Sequence, residues 1–198
     1  RRLYNESLRI SQDLGERRGE ARTLHSLGIL AQASGDCSEA RRLYNEILKI
    51  RQDLGDGSGE ARTLHNLGSL AEASGDYMEA RRLYNESLRI SQDLGERSGE
   101  ARTLHSLGSL AEASGDYSEA RRLYNESLKI SQDLGERSGE ALSLAKLALL
   151  EEEQNDIKAA IDHITQAEAI FKMLGAGRHA EETRIQKERL ERRLGRLS

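Results

Sequence analysis

The feature that most constrains this chain is that its sequence copies itself every 40 residues. Arg121–Glu140 repeats Arg81–Glu100 with one change, and Arg1–Glu16 is identical to Arg81–Glu96. A fixed period of this size is typical of stacked repeats, because each unit is one supersecondary element that cannot bury its apolar face alone. The pattern therefore predicts an extended binding surface rather than a single catalytic pocket.

Composition excludes several classes of protein. The chain has 32% charged residues, 4% aromatic residues and no proline, which suits a nearly all-helical chain with short connections. The net charge of −4, with acids and bases interspersed, argues against a nucleic-acid partner, which needs a basic stripe. No stretch approaches about 18 apolar residues, so we expect no membrane span. The single Cys37 excludes an internal disulfide and a multi-thiolate metal site, and it favours a cytoplasmic location.

Each repeat begins with an amphipathic segment that predicts a helix. Leu104, Leu107, Gly108 and Ala111 recur at i, i+3, i+4 and i+7, which is one stripe of a helix. Glycine in mid-helix costs about 1 kcal/mol against alanine, so its recurrence predicts close approach by a neighbouring helix. We expect this helix to end at a left-handed glycine, and an aspartate to cap the next one. These two residues are Gly115 and Asp116.

The second half of each repeat predicts a longer helix. Glu119 and Arg122 are spaced to pair on its solvent side. We expect Gly135 and Gly139 to bracket the loop back to the next repeat, which makes the first helix of each pair the shorter one. The apolar face predicted for the second helix comprises Tyr117, Ala120, Leu123, Tyr124, Ser127, Leu128, Ile130 and Leu134.

These residues resemble the tetratricopeptide repeat, a two-helix motif. The matching positions are Leu104-x-x-Leu107-Gly108-x-x-Ala111, then Gly115-Asp116-Tyr117, Ala120, Tyr124 and Ser127. The 40-residue form resembles Pins-type spindle-orientation adaptors and bacterial arrays attached to signalling ATPases and CHAT-type proteases. The resemblance implies an all-α fold, an α-solenoid of antiparallel helix pairs in a right-handed superhelix.

The period also predicts the domain organisation. We expect a repeat array over residues 1–175, beginning with a half repeat at 1–14. Full repeats follow at about 19–54, 59–94, 99–134 and 139–174. The last one diverges, since Ala148 replaces the glycine and Ile164 the tyrosine. Residues 176–198 predict a C-terminal capping helix with Thr183, Leu190, Leu194 and Leu197 on one side.

The recurring histidines His25, His65 and His105 invite a metal or acid–base hypothesis, but spacing opposes it. Equivalent positions on packed helices lie roughly 8–10 Å apart, whereas Zn–N bonds are about 2 Å. No second histidine at i+4 helps any of them. We therefore expect no metal, no cofactor and no catalytic residues, and we interpret the chain as a protein that is not an enzyme.

The side of the first helix that carries these histidines also offers candidate binding residues. In tetratricopeptide arrays the first helices line a concave groove, so the resemblance implies that these side chains face a partner. Asn66 matches an asparagine that, in Pins-type relatives, hydrogen-bonds a ligand backbone. A solvated face copied by gene duplication is the competing interpretation. The candidates are Arg22, His25, Arg62, His65, Asn66, Ser69, Arg102, His105, Ser109 and Glu112.

Three functions remain open from the sequence. The first is a protein-interaction scaffold that binds an extended acidic peptide or a partner domain, with the histidines adding positive charge below neutral pH. The second is a regulatory or spacer arm of a larger signalling ATPase or protease. The third is self-assembly, in which end-to-end contacts form through residues 1–14, where Leu3, Tyr4, Leu8 and Ile10 would be exposed.

Overall fold

A computed structural model describes residues 2–195 of the chain, and these residues form helices and turns without a strand. The repeats appear as consecutive antiparallel helix pairs, so the fold is the predicted all-α solenoid. In chain order the helices are α1 (Arg2–Asp13), α2 (Arg17–Ala33), α3 (Cys37–Asp53), α4 (Gly57–Ala73), α5 (Tyr77–Asp93), α6 (Arg97–Ala113), α7 (Tyr117–Leu134), α8 (Arg137–Glu153), α9 (Ile157–Met173) and α10 (Gly177–Leu194).

The chain divides into two compact units, residues 1–99 and residues 100–198. Within each unit, the even-numbered helices α2, α4, α6 and α8 are the first helices of the repeats. The odd-numbered helices α1, α3, α5, α7 and α9 are the second helices. The half repeat predicted at 1–14 corresponds to α1, although Arg1 lies outside the described residues.

The turn between the two helices of a repeat forms as the sequence predicts. Gly115 has a φ of +78°, the left-handed conformation that ends the first helix. The carboxylate of Asp116 then accepts a hydrogen bond from the backbone N–H of Glu119 at 3.1 Å, and so caps α7. The Glu119 side chain pairs with Arg122 at 2.7 Å, as expected from their i, i+3 spacing.

The expectation that the first helix of each repeat is shorter than the second is wrong. Helix α4 and helix α5 each have 17 residues, because α4 begins directly after the capping residue Asp56. Gly139 likewise lies inside α8 rather than in a loop. Its role is packing, since a β-carbon at Gly139 would lie 2.6 Å from Oγ of Ser131 on the preceding second helix.

The core of each repeat lies between the facing sides of its two helices. Tyr44, Tyr84 and Tyr124 are almost completely buried there. Two residues of the predicted apolar face behave differently, because Tyr117 and Leu134 are exposed at the ends of α7. The face is therefore shorter than the sequence pattern indicated.

Helix α10 packs on the last pair of unit 2. Leu190 is fully buried against Ala148 and Ile164, with Leu194 at the edge of this cluster. Thr183 is buried as well, whereas Leu197 lies outside the described residues. The rest of α10 carries exposed charges, consistent with a helix that ends a core and faces solvent.

Candidate functional site on the first helices

Unit 1 brings together the candidates from two neighbouring first helices. Arg22 and His25 lie on α2, while Arg62 and Asn66 lie on α4. The two helices are joined directly, since Nδ2 of Asn66 lies 3.1 Å from Nε2 of His25. We call the set Arg22, His25, Arg62, His65, Asn66 and Ser69 the unit 1 face.

The arginines of the unit 1 face carry uncompensated charge. Arg22 and Arg62 are both exposed, and neither forms an ion pair within residues 2–195. On the second helices, Arg42 and Arg82 are instead each held between two glutamates at 2.8–3.2 Å. The two face arginines are therefore available to an incoming carboxylate, which a guanidinium can hold bidentately.

The histidines of unit 1 are packed rather than free. The ring of His25 lies 6.0 Å from that of Tyr44, and the ring of His65 lies 5.2 Å from that of Tyr84. Burial lowers the pKa of His25, and the charges of Arg62 and Arg51 lower it further. The lowered pKa favours the neutral form of His25, so this histidine should add less positive charge below neutral pH than an unperturbed one.

Unit 2 gathers Arg102, His105, Ser109 and Glu112 on α6, next to Lys146 of α8. Here the hydroxyl of Tyr124 donates a hydrogen bond to Glu112 at 2.6 Å and lies 3.0 Å from Oγ of Ser109. The ammonium of Lys146 pairs with Glu112 at 3.0 Å. Glu112 is therefore an internal partner whose charge is compensated.

His105 is also buried and favours its neutral form. Burial lowers its pKa to about 4, with a further contribution from Lys146 that outweighs the opposing charge of Glu112. Its Nδ1 lies 3.4 Å from Oγ of Ser143 on the neighbouring first helix. His105 thus serves as a neutral contact between α6 and α8.

The arginine, histidine and serine of this face are not repeated on α8. Leu142, Ala145 and Leu149 occupy the positions held by Arg102, His105 and Ser109 one repeat earlier, and Leu142 is exposed. The positive character of the face therefore differs between the units. Unit 1 presents two unpaired exposed arginines, whereas α8 of unit 2 has leucine and alanine at these positions, beside a lysine, Lys146, that is paired with Glu112.

Sequence reasoning missed Arg51. This side chain of α3 is only 3% exposed, and its Nε and Nη1 have no hydrogen-bond partner within the described structure. It lies over the backbone of Gly59, where a β-carbon would be 2.3 Å from Nη1. Comparing the repeats would have singled out Arg51, because the equivalent positions in the other copies are all serine, namely Ser11, Ser91 and Ser131.

Within residues 2–195, no three His, Cys, Asp or Glu side chains come together in a way that could hold a metal ion. Among the helices just described, none combines the length and apolar character needed to cross a membrane.

Comparison with known proteins identifies the family. A sequence model described as tetratricopeptide repeat matches residues 1–53, 59–133 and 113–173. The chain therefore belongs to the tetratricopeptide repeat family, whose repeats generally mediate protein–protein interaction. A search of curated proteins found no match.

Solved structures confirm the fold. The chain resembles BtubC (BKLC) from P. vanneervenii, at 19% identity and a TM-score of 0.75 over 98% of this chain and 90% of that one. It resembles the apo form of RapI, at 14% identity and a TM-score of 0.79 over 93% and 75%. It also resembles a kinesin light chain of Podospora anserina with nearly identical TPR-like repeats, at 20% identity and a TM-score of 0.60 over 87% and 95%.

Proposed function

We propose that this chain is a non-catalytic scaffold that binds an extended acidic segment of a partner protein along the unit 1 face. The observation that supports the proposal is the pair of exposed arginines, Arg22 and Arg62, without ion-pair partners within the described structure. They sit on adjacent first helices, in a family whose repeats bind proteins. A carboxylate ligand would compensate their charge.

Spacing indicates the form of the ligand. Packed helices lie roughly 8–10 Å apart, and an extended peptide advances about 3.3 Å per residue. An acidic residue at every third position could therefore meet Arg22 and then Arg62. The buried charge of Arg51 adds positive potential behind this face.

One acidic side chain limits where an acidic ligand can lie. Glu72 stands at the end of the unit 1 face, where the hydroxyl of Tyr84 donates to its Oε2 at 2.7 Å. This hydrogen bond fixes the carboxylate but leaves its charge, so we expect the acidic residues of the ligand to contact Arg22 and Arg62 away from Glu72. The side chain of Asn66 already contacts His25, so we expect Asn66 to orient that histidine rather than to contact the ligand.

The test compares two variants with the same change in net charge. In one, Arg22→Glu and Arg62→Glu reverse the unit 1 face. In the other, Lys49→Glu and Arg89→Glu reverse exposed residues of the second helices α3 and α5. Titration by calorimetry with a peptide carrying aspartate at every third position should show affinity reduced at least tenfold in the first variant only. Equal loss in both variants would mean attraction by net charge alone, and no loss in either would place the ligand elsewhere.

A further inference from the structure

Three of the differences between the repeats fall at one place, the junction of α3 and α4. Arg51, Asp56 and Gly57 stand where the three other copies have serine, glutamate and arginine. The rest of the junction is copied, because Gln52–Gly55 and Gly59–Ala61 are the same in all four copies. The substitutions therefore change the charge at one defined point of unit 1.

The arginine that this junction lacks is paired in another copy, where Arg17 lies 2.9 Å from Glu20 at the start of α2. Arg51 does not restore that ion pair. Glu60, the equivalent glutamate of α4, accepts a hydrogen bond from Gln52 at 2.8 Å, while Nε and Nη1 of Arg51 are buried without a partner in the described structure. Buried polar groups of native proteins are nearly always paired, so this guanidinium points to an anionic ligand.

The guanidinium of Arg51 lies on the same side of α4 as the exposed Arg62. Its Nη1 stands where a β-carbon of Gly59 would lie, so the guanidinium occupies the side-chain position of that glycine. Arg62 follows Gly59 by three residues, and positions three apart on a helix share one side, with their β-carbons about 5–6 Å apart. One buried and one exposed arginine can therefore act on the same bound group.

The charges at this point act on one another. Burial lowers the pKa of Arg51, and the charge of Arg62 lowers it further, against the opposing charge of Asp56. Both arginines also contribute to the lowered pKa of His25 on the neighbouring first helix α2. The junction therefore shares its positive potential with the unit 1 face, and Asp56 is the opposing charge within it.

We propose that the segment bound along the unit 1 face carries a phosphorylated side chain, whose phosphate group binds Arg62 and compensates the buried charge of Arg51. The inference rests on the proposed function, since it names the chemistry of the ligand residue that meets Arg62. A carboxylate has one negative charge, which the exposed arginine alone can pair. A phosphate monoester has a charge of about −1.5 to −2 near pH 7 and three acceptor oxygens, so it can also compensate the second arginine.

The experiment adds phosphate to the peptide that carries aspartate at every third position. Calorimetry with the whole chain compares this peptide with versions in which phosphoserine replaces one aspartate at a time. We expect affinity to rise about tenfold when phosphoserine occupies the position that meets Arg62, because the added charge acts on a poorly solvated cation. Arg51→Ser should remove this gain and change the affinity for the aspartate peptide little. Arg51→Lys should keep part of the gain, since lysine retains the charge.

The matched control is Lys49→Ser, which removes one positive charge from the exposed side of the same helix. It should leave the gain from phosphoserine unchanged. No gain with any phosphopeptide, or a gain that survives Arg51→Ser, would overturn the inference, while binding of the aspartate peptide would still support the proposed function. Inorganic phosphate should compete only at far higher concentration than the phosphopeptide, and equal competition would overturn the inference because the site would then hold a free anion. Failure of both peptides to bind would contradict the proposed function as well.

Discussion

The ring of Tyr124 occupies the space in which a side chain of Gly108 would begin, with 2.7 Å between the ring and an ideal β-carbon. The last repeat of unit 2 replaces both residues together, because Ala148 stands for the glycine and Ile164 for the tyrosine. Both replacements are fully buried in one cluster. Glycine and tyrosine therefore act as one packing unit between the two helices of a repeat.

This relationship predicts a non-additive pair of substitutions. Gly108→Ala alone should destabilise the protein by about 1–3 kcal/mol, because overpacking a close contact outweighs the better helix propensity of alanine. Adding Tyr124→Ile should recover part of that loss, since it recreates the alanine–isoleucine pair of the last repeat. Urea unfolding of the parent, the two single variants and the double variant measures the coupling. Purely additive effects would contradict the assignment.

We expect the buried Arg51 side chain to lower the stability of unit 1. Replacing Arg51 by Ser removes a buried guanidinium with two unpartnered nitrogens and restores the residue found at the same position in three other copies. An unsatisfied buried polar group costs about 1–3 kcal/mol, so we expect a gain in stability of that order. Thermal unfolding monitored by circular dichroism gives the measurement.

The reverse substitution provides the control for Arg51. Ser91→Arg places the same side chain at the equivalent position of α5, where Ser91 is buried and faces Gly99. We expect it to lower the thermal midpoint. If Arg51→Ser lowers the midpoint instead, the guanidinium makes a stabilising contact in solution, and its description as unpartnered is wrong.

His105 should make stability fall as the solution is acidified. Its pKa is about 4 in the folded protein and about 6.5 in an unfolded chain, so the unfolded state takes up the proton first. The contribution of the neutral histidine is complete above pH 6.5 and is lost between pH 6.5 and about 4. At pH 5 the parent should have lost about 2 kcal/mol relative to pH 7 through this residue.

A neutral variant separates this effect from that of other groups. His105→Gln keeps a polar side chain near Ser143 and Glu112 but cannot be protonated in this range. Its denaturant midpoint should change less between pH 7 and pH 5 than that of the parent. Parallel pH profiles for the two proteins would show that His105 titrates normally.

The affinity of the unit 1 face for an acidic peptide should respond to salt but not to mild acidification. Exposed arginine–carboxylate contacts weaken with ionic strength, so affinity should fall as salt is raised from about 50 to about 300 mM. Between pH 7.5 and 6 it should change little, because burial and the charges of Arg62 and Arg51 lower the pKa of His25. Calorimetric titrations at four combinations of pH and salt measure both effects. Stronger binding at pH 6 would show that the histidines take part.

The sequence by itself determined the repeated helix pair, its turn and most of its core, because these depend on local periodicity and on residue types at fixed spacing. Leu104, Gly108 and Asp116 each occupy the place that their pattern predicts. The tertiary structure decided the character of the candidate site. His25 meets Asn66 across 41 residues and His105 meets Ser143 across 38, so neighbouring repeats set their environment. Burial and charge depend on such neighbours, which is why only the folded chain shows that these two histidines favour the neutral form and that Arg22 and Arg62 remain unpaired within the described structure.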